Sequence, residues 1–595
     1  MLIDRIKEII HQHRPVVVVM GIILALTTIP VTEVFLVLGS SWWHVIPPTF
    51  TDETFYYARV QTILKGHVTE GNPYFLEHSD GPPLVIFAGA WINAIPQLAG
   101  IPFNTAVLVN FMVWSLLFAV SLYWLFRELY VPPWIAVFGT VLLYIQSYAH
   151  VWRAVNLQTV YPFYFLFYIA LARFIHEQSR RNVIFVALMT GATFYLFAYL
   201  WQAILITLGL LFLYALIWRN RSLLWATCCA TLLGIIIGLP VPLYALWLSH
   251  TSAYFWESVG RLGLVNTHLP MAEIIYSGGW IGVVLVFLAL LYWRAQAMWN
   301  EREFRFLALF LTISGLGLWS MQGSNLITGK LLETGEHIRL LILPWLVCAT
   351  AALGVFLWKE RAQLSGGLRV CSIIVIGILS VVNVCYTYQY FSPFILANVD
   401  RETWQIDQLY AKRFAWLDKE EKNPVVVWSD PHDNVTTYLP IFTKDFTLYA
   451  WAGMMELVPE GEIRERYLVS QYFNNPTVAD LTSEGEMDLY LGRRDFPHQA
   501  MTIGREVKIC HLLFFWDKNK DCGVIPTPQS LLGDQFFADL EIKFRTDIKP
   551  NIKAYLSKYH VSYILKDKVL DPLYHPETLR AKLVYEDARY ELWKL

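Results

Sequence analysis

The sequence predicts a multi-pass α-helical membrane protein, with about 11 to 13 transmembrane helices, followed by a C-terminal extracytoplasmic α/β domain. Two observations predict this class. Of the 595 residues, 56% are hydrophobic and only 16% are charged, which is too little charge for the surface of a soluble protein. The charge is also uneven, because residues 1–400 hold 39 of the Asp, Glu, Lys and Arg residues and residues 401–595 hold 55. We therefore predict a membrane domain over 1–395 and an aqueous domain over 396–595.

Eleven apolar stretches are long enough to be membrane spans. They lie at residues 16–38, 104–126, 133–149, 158–175, 183–200, 203–218, 222–247, 276–293, 306–321, 340–358 and 370–391. The first follows three basic residues but has no clear cleavage site, so we predict a retained span and not a signal peptide. The apolar stretch 84–99 contains Pro96, and counting it as a span would misplace the basic loops. It is predicted to be a half-inserted or interfacial helix.

Basic residues set the orientation, because Lys and Arg accumulate in cytoplasmic loops. Under this count they fall on one side, at Arg5/Lys7/Arg14, Arg127, Arg173/Arg180/Arg181, Arg219/Arg221, Arg294/Arg302/Arg305 and Lys359/Arg361/Arg369. The prediction is a multi-pass plasma-membrane protein with a cytoplasmic N-terminus and a C-terminal domain outside the cytoplasm. The external segments are then 39–103, 150–157, 248–275, 322–339 and 392–595, where we expect the chemistry.

The C-terminal domain shows mixed helix and strand signals. A helix is predicted over 402–421, strands over 424–428 and 563–565, and a hairpin from 583–586 and 590–593. His432 and Asp433 follow the first strand and suit a turn. Cys510 and Cys522 would close a loop if the domain faces an oxidising compartment, and the sequence leaves that pairing open. The net charge of −2 gives no reason to expect nucleic acid as a partner.

The most informative segment is the long first external loop, 39–103. It holds Asp52-Glu53 shortly after the first span, then an aromatic helix with Tyr56 and Tyr57. A Lys-Gly-His turn at 65–67, an Asn-Pro-Tyr at 72–74 and a Pro-Pro-Leu at 82–84 follow. The two acids also suit an ordinary helix start, since Thr51, Asp52 and Glu53 are favourable first-turn residues. Spacing alone leaves both interpretations open.

These loop residues resemble the first external loop of GT-C-type integral-membrane glycosyltransferases. Within that superfamily the similarity is greatest to aminoarabinose and protein O-mannosyl transferases. The stretch from Tyr148 to Gln158 is placed like the second external loop of the more distant oligosaccharyltransferase catalytic subunits. The resemblance covers roughly residues 1–350 by layout. It implies a polyprenyl-phosphate-linked sugar as donor, transfer on the outer face, and Asp52 as the acidic residue that acts as base or positions the acceptor.

The sequence departs from the resemblance at the second loop. Oligosaccharyltransferases carry acidic residues there that help to hold a divalent cation, whereas this chain offers His150, Arg153, Asn156 and Gln158. A Mg²⁺ or Mn²⁺ site would need carboxylates. We therefore predict no metal ligands and favour a transfer that needs no divalent cation or other cofactor.

A lipid phosphate leaving group needs nearby cations more than it needs protonation. The loop before the tenth span concentrates such groups, and the predicted donor-phosphate ligands are Lys330, His337, Arg339 and, from the second loop, Arg153. The same residues also suit an ordinary solvated loop with a snorkelling arginine. Predicted sugar or lipid contacts are Tyr56, Tyr57 and Glu336, and Glu53 is expected to tune Asp52 or bind sugar.

These residues predict a membrane glycosyltransferase, with Asp52 and Glu53 as catalytic residues and inversion at the anomeric carbon. Its partners would be the polyprenyl-phosphate sugar, membrane lipids, and a lipid, polysaccharide or protein acceptor. A transporter or lipid flippase is the alternative. Such proteins typically have ionisable residues within the spans and paired repeats, whereas the spans here hold few ionisable residues and show no repeat. A non-enzymatic assembly or receptor protein is a third alternative.

Overall fold

A computed structural model describes residues 13–46, 52–67, 71–86, 88–269, 273–332, 336–395, 401–483, 485, 487, 491–493, 495–517 and 519–595. Within these ranges nine helices are long and apolar enough to cross a membrane. The chain is therefore a multi-pass α-helical membrane protein, as predicted. Its remaining part is a mixed helix and strand domain.

The helices up to residue 395 coincide with all eleven predicted spans. They are α1 (Arg14–Leu38), α2 (Glu53–Leu64), α3 (Ala88–Leu98), α4 (Phe103–Glu128), α5 (Pro133–Trp152), α6 (Leu157–His176), α7 (Arg180–Phe194), α8 (Ala198–Ile217), α9 (Arg221–Gly238), α10 (Pro240–Thr251), α11 (Phe255–Arg261), α12 (Glu273–Tyr276), α13 (Gly278–Arg294), α14 (Arg302–Met321), α15 (Asn325–Thr328), α16 (Glu336–Lys359) and α17 (Gly366–Ile395). Two of the eleven, α5 and α7, are not among the nine long apolar helices found in the described ranges. Helix α7 has 15 residues and is about 22 Å long, which is short for a membrane core of about 30 Å.

Two predicted stretches differ from regular spans for clear reasons. The predicted span 222–247 is two helices, because Pro240 ends α9 and begins α10, where its missing N–H costs no hydrogen bond. The stretch 84–99 forms α3, which has 11 residues and a length of about 16 Å. Helix α3 is too short to cross the bilayer, in agreement with the prediction. It packs against α2 and α4.

Close glycine contacts join α7 and α9. A Cβ atom on Gly234 would lie 2.7 Å from Cβ of Thr190, and one on Gly191 would lie 2.4 Å from Cγ2 of Ile237. In a bilayer, helices associate through tight packing of small residues, since lipid tails are as apolar as leucine. These two glycines therefore allow the short α7 to pack tightly on its neighbour.

The C-terminal domain surrounds one mixed sheet. Its helices are α18 (Arg401–Asp407), α19 (Tyr410–Glu420), α20 (Val435–Phe442), α21 (Glu460–Ser470), α22 (Val478–Leu481), α23 (Asp495–Leu513), α24 (Pro528–Leu532), α25 (Asp534–Lys543) and α26 (Ile552–Lys558). Its strands are β3 (Val426–Trp428), β4 (Phe446–Thr447), β5 (Val561–Asp567), β6 (Lys582–Glu586) and β7 (Tyr590–Lys594). They lie in the order β4-β3-β5-β7-β6, with β3, β4 and β5 parallel and β7 antiparallel to both β5 and β6. The predicted strands and hairpin are present, and the predicted helix over 402–421 is divided into α18 and α19.

A second, smaller sheet lies between membrane helices. Strand β1 (Leu264–Asn266) follows α11, strand β2 (Lys330–Leu332) follows α15, and the two pair antiparallel. Since both strands belong to connections between long apolar helices, this sheet lies at one end of the helix bundle. It is the end that carries the C-terminal domain, because Arg261 in α11 donates hydrogen bonds to the carbonyl oxygens of Met454 at 2.9 Å and Val458 at 2.5 Å.

The first loop shares its hydrophobic core with the C-terminal domain. Phe55, Tyr57 and Phe75 are buried in the same cluster as Trp428 and Tyr467. The backbone joins as well, since the N–H of Thr447 in β4 donates to the carbonyl oxygen of Tyr74 at 2.9 Å. The C-terminal domain is thus seated on the first loop by shared packing.

Ion pairs fix this contact. Nη1 of Arg59 lies 2.7 Å from Oε1 of Glu456, and both side chains are about 99% buried. Arg466 pairs with Glu77 at 2.5 Å and with Glu462 at 2.7 Å, and its guanidinium lies over the ring of Phe75. Burial acts to raise the pKa of Glu462, but hydrogen bonds from His78 and Arg466 outweigh it and lower that pKa to about 2.

Four aspartates gather where β3 and β5 end. Asp430, Asp433, Asp567 and Asp571 are all buried. Burial, together with the charges of neighbouring aspartates, raises the pKa of Asp571 to about 8 and that of Asp433 to about 6. Asp433 also accepts hydrogen bonds from Tyr410 and from the N–H of Val435, which is the turn predicted for this segment.

The stability of this domain is expected to fall as pH rises from 5 to 8.5. The pKa of Asp571 is higher in the folded protein than its usual value near 4, so the folded state holds a proton that the unfolded state has lost. That stabilisation is complete at about pH 4 and is lost as pH rises through about 8, at up to about 1.4 kcal/mol per pH unit. Thermal midpoints from intrinsic fluorescence should show this slope, and Asp571→Asn should flatten it. Exposed Asp539→Asn is the control, and a flat wild-type profile would contradict the prediction.

The two cysteines of the C-terminal domain, whose pairing the sequence leaves open, are bonded in the structure. Cys510 and Cys522 form a disulfide. It ties the end of α23 to the segment that returns toward α24. The five remaining cysteines are free and lie in the membrane helices, as predicted.

Candidate active site

Asp52 occupies the N-cap position of α2. Its side chain makes no capping hydrogen bond to the helix, so it does not serve as the simple helix start that spacing alone allowed. Oδ2 of Asp52 instead accepts a hydrogen bond from Nη2 of Arg153. The Asp52 side chain is 30% exposed and the Arg153 side chain 12% exposed. The structure thus joins the acidic Asp52 of the first loop to the cationic Arg153 of the second loop, at a site that solvent reaches.

Arg153 lies in the tight connection between α5 and α6. Within it, Val155 has a φ of +65°, a conformation that a β-branched residue adopts only under strain. The carbonyl oxygen of Val155 is held by the hydroxyl of Thr159 at 2.5 Å. The connection is also in close contact with α3, since a Cβ on Gly89 would lie 2.5 Å from that oxygen. A strained, tightly packed loop therefore sets the position of Arg153.

Tyr56 lies on the same side of α2 as Asp52 and completes a four-residue group. Its hydroxyl oxygen accepts hydrogen bonds from Nδ2 of Asn156 at 3.0 Å and from Nη2 of Arg153 at 3.4 Å. The Arg153 guanidinium lies 5.3 Å from the centre of the Tyr56 ring, within range of a cation–π contact. We call Asp52, Tyr56, Arg153 and Asn156 the Asp52 cluster.

Glu53 and Tyr57 point into the protein. Glu53 is fully buried, and its charge acts on the phenols of Tyr57 and Tyr438. Burial and the Glu53 charge raise the pKa of Tyr57 well above its usual value. The ring of Tyr57 packs edge-on against Phe103 at 5.4 Å. Glu53 therefore lies near Tyr438 of the C-terminal domain, whereas Tyr57 lies against α4.

Two histidines and an arginine form a second group beside the Asp52 cluster. His150 is three positions before Arg153 at the end of α5, and it lies within electrostatic range of Arg339 and His337 at the start of α16. The His337 ring stacks on Tyr199 in nearly parallel planes, with centroids 5.4 Å apart. We call His150, His337 and Arg339 the His337 cluster. His337 and Arg339, two of the four predicted phosphate ligands, belong to this cluster. A third, Arg153, is three positions after His150 in the sequence.

Lys330 is placed elsewhere on the same end of the bundle. It lies in β2, and its ammonium is 4.0 Å from the ring centre of Trp256. The side chain of Glu336 lies outside the described residues, although α16 begins there. The described side-chain contact of Lys330 is therefore with α11, beside the small β1–β2 sheet, and not with the Asp52 cluster.

The second-loop residues do not suit a divalent cation. Asn156 and Gln158 offer only neutral amide oxygens, their amide nitrogens donating to Tyr56 and to the carbonyl oxygen of Val151, and the cationic guanidinium of Arg153 lies against Asp52. Cations of this kind need several convergent oxygen ligands. Across the described ranges no three His, Cys, Asp or Glu side chains converge in a way that could hold a metal ion. Independence from a metal stays a prediction.

Several other motif residues of the first loop bind the C-terminal domain. Lys65 donates to the carbonyl oxygen of Pro440 at 2.6 Å, and Asn72 donates to that of Gly453 at 2.9 Å. His78 pairs with Glu462 at 3.0 Å. These residues position the domain over the bundle. Sequence reasoning missed this role, and it also missed the contact of Asn156 with Tyr56, because no local pattern marks a partner far along the chain.

Comparison with known proteins finds similarity to solved structures alone. No protein-family model matches the chain, and no curated protein matches it. Sixteen chains of solved structures are similar to it. Among them is the crystal structure of ArnT from Cupriavidus metallidurans bound to undecaprenyl phosphate, which is 12% identical, covers 95% of this chain and 97% of that chain, and has a TM-score of 0.40. A likeness at this level does not establish a shared family.

Proposed function

We propose that the protein is an integral-membrane glycosyltransferase of GT-C type that uses a polyprenyl-phosphate-linked sugar. The observation that carries the proposal is the pairing of Asp52 with Arg153 beside the His337 cluster. One solvent-accessible carboxylate next to the guanidinium groups of Arg153 and Arg339 is what transfer from a lipid phosphate requires. The site also lies at the end of a membrane bundle, where a lipid-linked donor reaches it from the bilayer.

In the proposed reaction the acceptor hydroxyl oxygen attacks the anomeric carbon. The bond from that carbon to the phosphate oxygen breaks, and polyprenyl phosphate leaves with the bonding electrons. Asp52 takes the hydroxyl proton, while Arg153 and Arg339 bind the phosphate as its negative charge develops. Attack from the face opposite the phosphate inverts the anomeric centre. A phosphate that draws Arg153 to itself would also free the Asp52 carboxylate for the acceptor.

Two features support transfer on the extracytoplasmic face. The Cys510–Cys522 disulfide is typical of an oxidising compartment. The basic loops, such as the one with Arg180 and Arg181, lie at the bundle end opposite the C-terminal domain, where the positive-inside rule expects the cytoplasm. Both features support an orientation with the N-terminus in the cytoplasm and the C-terminal domain outside. The acceptor is a hydroxyl-bearing lipid, polysaccharide or protein.

The proposal is tested by donor turnover. Purified wild-type protein is incubated with a panel of polyprenyl-phosphate sugars and membrane extract, with and without chelator, and free polyprenyl phosphate is measured by mass spectrometry. Release that survives the chelator would support a metal-independent transferase. Arg153→Lys is expected to reduce release about tenfold or more, since lysine keeps the charge but loses the two-point contact with phosphate. Arg401→Gln, an exposed arginine of the same face, is the control. Binding of the lipid without release by any donor would favour the transporter alternative.

Gly89→Ala is expected to reduce turnover about 10- to 100-fold without unfolding the protein. The added methyl group would meet the carbonyl oxygen of Val155 at 2.5 Å and push the loop that carries Arg153. Small displacements of positioning groups have effects of about 100-fold on catalysis. The control is Gly209→Ala in α8, where a Cβ meets nothing within 4 Å. Equal turnover by the two variants would contradict a positioning role for this loop.

A further inference from the structure

A hairpin projects from the C-terminal domain and is closed by the Cys510–Cys522 disulfide. One arm is α23, and the other is the segment that returns to α24. The arms contact each other, since Gly504 faces Ile525 and α24 packs along α23. We call residues 495–532, excluding the undescribed residue 518, the stapled hairpin. The disulfide lies next to its far end and holds the arms together there.

The far end of the stapled hairpin is apolar and exposed. Leu512 is 73% exposed, Phe515 74%, Trp516 68% and Val524 87%. Leu513 and Phe514 between them are exposed as well. Single exposed apolar residues are common, but a contiguous group of this size marks a surface that binds something. We call residues 512–516 the apolar tip.

The other end of the hairpin lies at the membrane end of the bundle. Nδ1 of His498, in the first turn of α23, donates to the carbonyl oxygen of Gly263 at 3.1 Å, and α23 packs against β1. Since β1 connects membrane helices, α23 begins at the level where the bundle leaves the bilayer. The neighbouring connections also expose apolar side chains, with Ile275 74% and Ile327 89% exposed. The hairpin thus begins beside apolar side chains that are exposed at this end of the bundle.

The composition of the tip favours a bilayer as its occupant. Aromatic residues concentrate at the boundary between lipid tails and headgroups, and Phe514, Phe515 and Trp516 are adjacent. Charged residues follow directly in the sequence. The ammonium group of Lys520 lies 5.0 Å from the ring centre of Phe514, so a cation borders the apolar tip. An apolar tip bordered by charge is the pattern of a segment that lies in the membrane interface.

We propose that the apolar tip of the stapled hairpin inserts into the lipid leaflet beside the β1–β2 sheet and anchors the C-terminal domain to the bilayer surface. This role does not depend on the proposed enzymatic activity. It requires that the C-terminal domain and the β1–β2 sheet lie at the same end of the bundle, which the hydrogen bonds of Arg261 establish, and that α23 runs from β1 toward the bilayer and not away from it. The disulfide would keep the tip projecting as a unit.

Photo-crosslinking in membranes tests the proposal. The photoreactive residue p-benzoylphenylalanine replaces Phe515 in the full chain, and it replaces Val569, 67% exposed on the loop after β5, in the control. Each protein is irradiated in its own host membranes and in vesicles of phosphatidylethanolamine and phosphatidylglycerol, and adducts are identified by mass spectrometry. An unchanged thermal midpoint verifies that each variant is folded.

Lipid adducts at position 515 are expected to exceed those at position 569 by tenfold or more in both membranes. Equal lipid labelling at the two positions, or no lipid adduct at 515, would overturn the proposal. Adducts to another protein, or to a second copy of this chain, would overturn it as well and identify the tip as a protein-docking surface.

Discussion

Asp52→Asn is expected to lower sugar transfer by about 100- to 10,000-fold, the range typical of a lost general base. The amide is nearly the same size as the carboxylate but cannot take the acceptor proton. It can still accept a hydrogen bond from Arg153, so the loop should keep its position. The measurement is the single-turnover rate of polyprenyl phosphate release at saturating donor, with donor binding measured separately.

The matched control is Asp80→Asn, an 88% exposed acid of the same loop that pairs with His67. It should leave the rate unchanged. If Asp52→Asn instead weakened donor binding and left the saturated rate intact, Asp52 would be a positioning residue for Arg153. Full activity of Asp52→Asn would rule out any catalytic role for the Asp52 cluster.

Arg59→Met is expected to weaken the packing of the C-terminal domain on the first loop by about 3–5 kcal/mol, since it removes the cation that pairs with the buried Glu456. The pair is about 99% buried on both sides, so water cannot replace the lost charge. The measurements are the thermal midpoint and the rate of limited proteolysis within the first loop. Pairing Arg59→Met with Glu456→Leu should restore much of the loss, because a well-packed apolar pair is often as stable as a buried ion pair.

Lys568→Met is the control for the Arg59→Met measurement. Lys568 pairs with Glu586 at 3.0 Å, but the Glu586 side chain is 52% exposed, and pairs of this kind contribute less than about 1 kcal/mol. If Arg59→Met and Lys568→Met shifted the midpoint equally, the Arg59–Glu456 pair would not be what holds the domain in place.

The sequence was sufficient for most of the membrane architecture. A membrane span is recognisable from about 20 consecutive apolar residues. Helices are present in the structure at all eleven predicted stretches. Pro240 divides one of them, a break that a proline inside an apolar run could have indicated. Asp52 and Arg153 were both selected from sequence, although their direct contact links positions 101 residues apart and no local pattern reveals it.

The side-chain orientations around α2 could not be predicted in the same way. Glu53 follows Asp52 in sequence, yet it turns into the core because the C-terminal domain covers that face of α2 with Tyr438. Tyr56 and Tyr57 also diverge, one toward Arg153 in the second loop and the other toward Phe103 in α4. Adjacent side chains of a helix point about 100° apart, and only tertiary packing decides which direction becomes the site.

The seating of the C-terminal domain on the first loop also has a consequence for biogenesis. Arg59 and Glu456 are 397 positions apart, and chains are synthesised at about 5–20 residues per second. The first loop therefore leaves the ribosome about 20 to 80 s before its partner exists. During that interval Phe55, Tyr57 and Phe75 lack the surface that later buries them. The nascent chain needs a chaperone or the headgroup layer to shelter this loop, and a prematurely terminated chain would display it as a degradation signal.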